Sequence, residues 1–278
     1  MKKINRRSFL AAAGLTAAAL ALTACGGSAS STASSTASSA ASSEAASTSA
    51  AAELTTVEAG KLTMATNAAF PPYEMTTDAG EFEGIDIDTA KAIAEKLGLE
   101  LQIDDMDFDA ALLSVQQGKA DIVMAGVTVT DERKAVMDFS DSYATGIQSI
   151  IVPEGSDITS PDDLAGKKIG TQRGTTGYIY CSDDFGDDAV VAYDDGLTAV
   201  QALNNGQVDA VVIDNAPAKE FVAANPGLVI LDTSYAEEDY AIGLAKGSAL
   251  EDDINAALEE LKADGTLQSI VDKYITAE

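Results

Sequence analysis

The chain has 278 residues, with 45 acidic and 17 basic side chains, no histidine and a formal charge of −28. So strong a negative charge argues against nucleic acids and anionic membrane surfaces as partners. The lack of histidine excludes Ser-His-Asp triads and histidine metal ligands, and the sequence suggests neither a metal site nor a cofactor.

Residues 1–25 predict an export signal. A basic start, MKKINRRS, precedes the apolar run FLAAAGLTAAALALT, which is too short for an ordinary membrane span. The run ends in LTAC, which resembles a bacterial lipobox, so we expect Cys25 to carry a lipid. That would anchor the protein on the outer face of the cell membrane, on the extracellular side or in a periplasm. The alternative for Cys25 is an ordinary small-residue cleavage site. RRSFL also resembles a twin-arginine signal, so the export route is either the general or the twin-arginine one.

Residues 26–55 are almost entirely Ser, Ala and Thr and cannot form a core, so we expect a disordered tether. The only cysteine beyond the signal is Cys181, so no disulfide framework is expected. It is predicted to be a small, partly buried apolar residue.

The rest of the chain alternates strand and helix patterns, which indicates an α/β fold. The predicted strands are KLTMAT, LELQID, ADIVMAG, KKIGTQ, AVVAY, VDAVVID and LVILD. The predicted helices are IDIDTAKAIAEKL, DAALLSVQQG, one starting at SPDDL, one starting at TTGYIYCSD, LTAVQALNNG and APAKEFVAANP. Asp121 and Asp209 hold the same place in two similar helix-to-strand connections, which either are ordinary connections or mark two related lobes.

Two segments, GIQSIIVP and EDYAIGLAKG, are predicted to cross between two lobes. The closing helical patterns, LEDDINAALEELKADG and TLQSIVDKYI, must pack on something, and the first lobe is available. We therefore predict that residues 56–147 and 241–278 form lobe 1, and that residues 148–240 form lobe 2.

Ligands of open α/β sheets bind at the carboxyl ends of the strands. The candidate residues that follow strands are Asn67, Phe70, Phe108, Gly126, Thr128, Arg133, Gln172, Thr175, Thr176 and Asp214. Arg133 can bind a carboxylate through two hydrogen bonds, and Asp214 can accept from an ammonium. Two aromatic rings can enclose a side chain, and a helix start at Thr175–Thr176 favours an anion. An α-amino acid satisfies all these groups at once.

Each of these residues also has a purely structural interpretation. Asp214 could only cap the following helix, Arg133 could pair locally with Asp131 or Asp138, and Phe70 and Phe108 could be core aromatics. Arg173 is predicted to lie at the surface.

Several segments carry a family resemblance from Lys61 to Ile275. They are FPPYE, GIDIDTAKAIAEKL, MDFDAALLSVQQGKADIVMAGVTVTDERKAVMDFS and ADGTLQSIVDKY. They are similar to bacterial solute-binding proteins of the polar amino acid transporter family (family 3). TNAAF, TTG and DNAPAKEFVAANP most resemble arginine- and glutamine-binding members. Thr89 departs from the aliphatic residue usual in the family.

The resemblance implies a type II periplasmic-binding-protein fold, with two α/β lobes, two hinge strands and a ligand cleft between the lobes. It implies that Phe70 and Phe108 enclose the ligand side chain, which Asn67 and Gln172 also touch. The α-carboxylate would be held by Gly126, Thr128, Arg133 and the Thr176 backbone N–H. The α-ammonium would be held by Asp214, the Gly126 carbonyl and the Thr128 hydroxyl. Many relatives have Asp in place of Asn67, which weakens the case for a cationic ligand.

The implied function is the substrate-binding component of an amino acid ABC importer, a monomer without enzymatic activity that delivers its ligand to a membrane permease. We consider two alternatives: a cyclohexadienyl or arogenate dehydratase on the same fold, with Glu74 as general acid, and a sensory ligand-binding domain. Recovery of an unchanged ligand from the purified protein would distinguish a binding protein from an enzyme.

Overall fold

The computed structural model describes residues 54–275. The chain divides into two units, Met1–Ser49 and Ala50–Glu278, and the described residues belong to the second. The predicted export signal, its Cys25 and nearly all of the predicted tether lie outside them. Within the described range, no helix combines the length and apolar character needed to cross a membrane.

Twelve strands and eight α-helices alternate along the described chain. The strands are β1 (Lys61–Thr66), β2 (Ala69–Phe70), β3 (Glu74–Thr76), β4 (Phe82–Glu83), β5 (Glu100–Asp105), β6 (Ile122–Val123), β7 (Met137–Pro153), β8 (Ile169–Gln172), β9 (Val190–Tyr193), β10 (Ala210–Asp214), β11 (Leu228–Ile230) and β12 (Ala236–Ala245). The helices are α1 (Ile85–Leu97), α2 (Phe108–Gln116), α3 (Asp131–Lys134), α4 (Thr176–Phe185), α5 (Gly196–Asn204), α6 (Asn215–Ala224), α7 (Glu251–Ala263) and α8 (Thr266–Tyr274).

One continuous sheet runs through both lobes in the order β5-β1-β6-β12-β7-β10-β8-β9, with β11 paired to β7. Strands β5, β1 and β6 are parallel in lobe 1, and β10, β8 and β9 are parallel in lobe 2. Between them, β12 and β7 run antiparallel to each other and form the two hinge strands. The chain therefore has the expected two-lobed architecture, while the lobe boundaries given above remain a prediction.

The first hinge strand is longer than the sequence pattern predicts. Strand β7 begins at Met137 rather than at Gly146, because its residues pair with β12 from Met137↔Ala245 to Gln148↔Ala236. Its last residues pair instead with β10 and β11 in lobe 2.

The predicted strand ADIVMAG is shorter in the structure. Only Ile122 and Val123 pair on both sides, with β1 and with β12. Beyond them the regular pairing stops at Gly126, which has a positive φ of 55°, and Thr128 forms only an isolated bridge with Tyr240 of β12. This early end of β6 places the residues after it at the boundary between the lobes.

Helices cover both faces of each half of the sheet. In lobe 1, α2 packs on β1 and β6, while α1 packs with the closing helices α7 and α8. In lobe 2, α5 and α6 cover one face of β10, and α4 covers the other. Cys181 of α4 is completely buried, rather than partly buried as predicted, and burial raises the pKa of its thiol to about 12.

Asp121 and Asp209, which hold the same place in the two helix-to-strand connections, make similar hydrogen bonds in the two lobes. Asp121 accepts hydrogen bonds from the backbone N–H groups of Val57 and Thr63 at 2.7 and 2.8 Å. Asp209 accepts one from Lys168, immediately before β8, at 2.7 Å. Each carboxylate thus joins the start of its own strand to the neighbouring parallel strand, which supports two lobes built on one plan.

Candidate ligand-binding site

A cavity lies between the lobes, where the carboxyl ends of β1, β6, β8 and β10 meet. It is lined by Asn67, Phe70, Glu74, Phe108, Ala125, Gly126, Thr128, Arg133, Gln148, Gln172, Thr175, Thr176, Val212, Ile213, Asp214 and Tyr240. Every candidate residue predicted from the strand ends is in this set. The free volume is about 20 Å³, close to the room that one water molecule needs.

Arg133 reaches the cavity from the single turn of α3. Thr130 caps this turn by accepting from the Arg133 N–H at 3.2 Å. The guanidinium donates to the carbonyl oxygens of Thr128 and Gly174, at 2.7 and 3.1 Å, and lies 5.4 Å from the centre of the Phe108 ring. These carbonyls use two of its five N–H donors, so it can still bind an anion.

The charge of Arg133 is deeply buried, since the residue is only 8% exposed. Burial lowers the pKa of Arg133, and the negative charge of Glu238 opposes that change. The local pairing considered for Arg133 is not formed with Asp138, which binds Lys246 at 2.6 Å.

Asp214, at the end of β10, has two roles. Its Oδ1 accepts from the Ala216 N–H at 2.9 Å and caps α6, while its Oδ2 accepts from the Ile147 N–H of the hinge at 2.8 Å. Burial raises the pKa of Asp214 to about 6, although both N–H groups lower it. Asp214 therefore both caps the helix and lines the cavity, and a cation in the cavity would favour its ionised form.

Phe70 and Phe108 also combine two positions, because each belongs to the core and lines the cavity. The Phe70 ring stacks on Tyr73, with ring centres 5.8 Å apart. A Cβ at Gly126 would lie 2.9 Å from the Phe70 ring and 3.2 Å from Tyr240. Glycine at this position therefore lets both rings approach the backbone at the end of β6.

Polar side chains meet across the cavity from the two lobes. Gln172 donates from Nε2 to Oδ1 of Asn67 at 2.8 Å, and Asn67 donates to the Met106 carbonyl at 3.0 Å. At the start of α4, Thr175 caps the helix by accepting from the Tyr178 N–H at 3.3 Å. This cap places Thr176 as the first helical residue, beside the cavity.

A carboxylate from the hinge completes this polar set. Oε2 of Glu238, on β12, accepts from the hydroxyls of Thr128 and Thr176 at 3.0 and 2.8 Å. It also accepts from Nε2 of Gln148 at 3.0 Å.

Glu74 is a buried acid with no exposure to solvent. Burial, and then the charge of Asp86, raise the pKa of Glu74 well above its ordinary range. Asp86 accepts from the Gly126 N–H at 3.0 Å and from the Tyr143 hydroxyl at 2.8 Å, whereas both oxygens of Glu74 lack a hydrogen-bond partner within residues 54–275. Because hydrogen bonds stabilise the charge of Asp86, burial raises the pKa of Glu74 further than it raises the pKa of Asp86.

Comparison with known proteins identifies the family. Residues 62–277 match the bacterial extracellular solute-binding proteins, family 3. The chain belongs to this family. It is 32% identical over 283 residues to a probable histidine-binding protein of Neisseria gonorrhoeae, covering 99% of this chain and 98% of that protein.

Solved structures of similar proteins agree with the assignment of this chain to family 3. It is similar to an ancestral arginine-binding protein bound to glutamine, with 43% identity and a TM-score of 0.75, covering 79% of this chain and 100% of that one. An ancestral arginine-binding protein bound to arginine gives 44% identity and a TM-score of 0.74, covering 78% and 98%. These relatives are binding proteins, so this family 3 protein is a binding protein and not a dehydratase.

Four further residues line the candidate site or bond its lining residues and were not predicted as ligand contacts: Glu74, Gln148, Glu238 and Tyr240. Glu74 was considered only as a catalytic acid, and the two hinge segments were considered only as connections. A signal was present in the second hinge, because Glu238 and Tyr240 are two residues apart and so lie on one face of a strand. The side chains between and before them, Asp239 and Glu237, are exposed.

Proposed function

We propose that the protein captures a free polar or cationic L-amino acid and delivers it to the permease of an ABC importer. The observation that carries the proposal is that two buried groups of opposite charge, Arg133 and Asp214, line one cavity. A zwitterion offers a carboxylate to one and an ammonium to the other, and each buried charge favours such a partner. The ligands named for the relatives, histidine, arginine and glutamine, support an α-amino acid.

Different residues are proposed to bind the α-carboxylate, the α-ammonium and the side chain of the ligand. Arg133, Gly126 and the Thr176 N–H bind the α-carboxylate, with Thr175 fixing the helix start. Asp214, the Gly126 carbonyl and the Thr128 hydroxyl bind the α-ammonium.

The ligand side chain lies between the rings of Phe70 and Phe108, whose faces suit an apolar stem or a planar cation. Asn67 and Gln172 bind its polar end. Because these two amides are uncharged, the site does not by itself require a cationic side chain, and neutral polar amino acids remain candidates.

The proposed mechanism is hinge closure about β7 and β12. Arg133, Thr128 and Asn67 belong to lobe 1, whereas Thr176, Gln172 and Asp214 belong to lobe 2. The hydrogen bond from Gln172 to Asn67 closes the cavity between the lobes, so the lobes must separate to admit an amino acid and close again over it. The closed shape is then what the permease recognises.

We also propose that the protein acts as a monomer on the outer face of the cell membrane, held by a lipid on Cys25. The basic start, the apolar run and LTAC support export and lipidation. The Ser- and Ala-rich residues 26–55 would then tether the globular part to the membrane.

Calorimetric titration of the purified full chain with each of the twenty L-amino acids tests the proposal. We expect saturable binding of one or a few polar or cationic amino acids, with the ligand recovered unchanged by mass spectrometry. Binding of none, or chemical conversion of the ligand, would contradict it.

A further inference from the structure

The carboxylate of Glu238 connects all parts of the site through a single oxygen. Its Oε2 accepts hydrogen bonds from Thr128 of lobe 1, Thr176 of lobe 2 and Gln148 of the first hinge strand. Glu238 itself lies on the second hinge strand and is 7% exposed. We propose that Glu238 is a positioning residue that orients both threonine hydroxyls and ties the closed lobes to the hinge.

The orientation follows from the chemistry of the groups. A hydroxyl carries one hydrogen and a carboxylate only accepts, so the hydrogens of Thr128 and Thr176 both point to Glu238. The two hydroxyl oxygens are 3.4 Å apart and both residues line the cavity. With their hydrogens committed, these oxygens can only accept from a ligand. Glu238 thereby makes the two hydroxyl oxygens suited to an ammonium, and it leaves the α-carboxylate to Arg133 and the backbone N–H groups.

The three bonds also depend on closure. Thr128 and Thr176 move apart when the lobes separate, so one oxygen can accept from both only in the closed arrangement. Hydrogen bonds to a charged acceptor are each stronger than neutral ones. Glu238 therefore stabilises the closed arrangement, whether or not a ligand is bound.

The surroundings of Glu238 are arranged to hold it there. A Cβ at Gly177 would lie 2.9 Å from Oε1 of Gln148, so glycine at the second position of α4 makes room for the amide that binds Glu238. The charge of Arg133 acts favourably on Glu238. Oε1 of Glu238 is nevertheless buried without a hydrogen-bond partner within residues 54–275. Such a group is costly to bury, as expected of a residue retained for function rather than for stability.

A double-mutant cycle on the full chain tests this role, which relies on the proposed function for its probes, L-arginine and L-glutamine. For the tighter of the two, we expect Glu238→Ala to weaken binding at least about tenfold in the wild type but by less than about threefold in Thr128→Val, because Glu238 acts through that hydroxyl. Glu238→Gln keeps one acceptor oxygen and should fall between wild type and Glu238→Ala. The matched control, Glu237→Ala, removes the same charge from an exposed neighbour on β12 and should leave the affinity unchanged.

A second readout separates this inference from the proposed function because it needs no ligand. We expect small-angle X-ray scattering to give a larger radius of gyration for unliganded Glu238→Ala than for wild type or Glu237→Ala. If no amino acid binds the wild type, the proposed function fails, and the scattering comparison alone decides the role of Glu238. Equal affinity and equal radius in Glu238→Ala and wild type would overturn the inference, as would equal losses in Glu238→Ala and Glu237→Ala.

Discussion

Gln172 and Asn67 form a hydrogen bond that joins the end of β8 in lobe 2 to the end of β1 in lobe 1, with Nε2 donating to Oδ1 over 2.8 Å. This amide pair lies where the proposed ligand side chain ends. Its lack of charge is therefore expected to influence which amino acid binds.

Asn67→Asp should shift specificity toward cationic ligands. The aspartate keeps the acceptor for Gln172 and adds a negative charge to a site with little solvent, where a nearby cation gains roughly 1–4 kcal/mol. We expect the ratio of L-arginine to L-glutamine affinity, measured by calorimetry, to rise at least about tenfold. Asn205→Asp adds the same charge at an exposed position of lobe 2 and should leave the ratio unchanged. An unchanged ratio in Asn67→Asp would show that Asn67 does not contact the side chain.

The two arginines beyond residue 25 form a natural pair of variants. Arg133 is buried in the cavity, whereas the Arg173 side chain is 52% exposed and lies 3.6 Å from Asp194. Arg133→Ala should weaken amino acid binding at least about thirtyfold, because loss of one partner in a buried charge pair costs roughly 2–5 kcal/mol. Arg173→Ala should bind as the wild type does, and similar losses in both variants would disprove the assigned role of Arg133.

Asp214 should give the site a pH dependence. Burial raises its pKa to about 6, and a ligand ammonium prefers the ionised form. The affinity should therefore be constant above about pH 7 and fall, by up to about tenfold per pH unit, as the pH drops below 6. Asp214→Asn, which can still cap α6 through its side-chain oxygen, should bind at least about thirtyfold more weakly at pH 7.5.

The same variant separates Asp214 from Asp86, whose pKa is also raised to about 6 by burial. In Asp214→Asn, the decrease in affinity below pH 6 should largely disappear. A full decrease in this variant would assign the pH dependence to Asp86 instead.

The two cysteines test the proposed anchor. Cys25→Ala should move the protein from the membrane fraction to the soluble fraction, measured by fractionation and immunoblotting of cells of the source organism. Cys181→Ala changes a completely buried thiol and should leave the protein in the membrane fraction. Retention of Cys25→Ala in the membrane fraction would exclude the lipid anchor.

Features encoded by nearby residues could be predicted from the sequence. Helix α1 has the predicted bounds because Gly98, with a φ of 69°, ends it through a local left-handed turn. The early strand start of β7 could not be predicted, since it depends on pairing with β12 about a hundred residues later.

The same contrast holds in the site. Arg133 stands out as one of two arginines beyond residue 25, and Asp214 stands out as a charge at the end of an apolar strand. The role of Glu238 depends on Thr128, Gln148 and Thr176, which only closure of the lobes brings to one oxygen. Contacts that exist only in one arrangement of two lobes leave no periodic or local signal in the sequence.

The central claim is that Arg133 and Asp214 bind the two charges of a free α-amino acid. Its most direct test is calorimetry of the full chain with the best-binding amino acid, its N-acetyl derivative and its carboxamide. We predict that blocking either charge weakens binding at least about a hundredfold, because each block leaves one buried charge without its partner. Binding of either derivative as tightly as the free amino acid would contradict the claim.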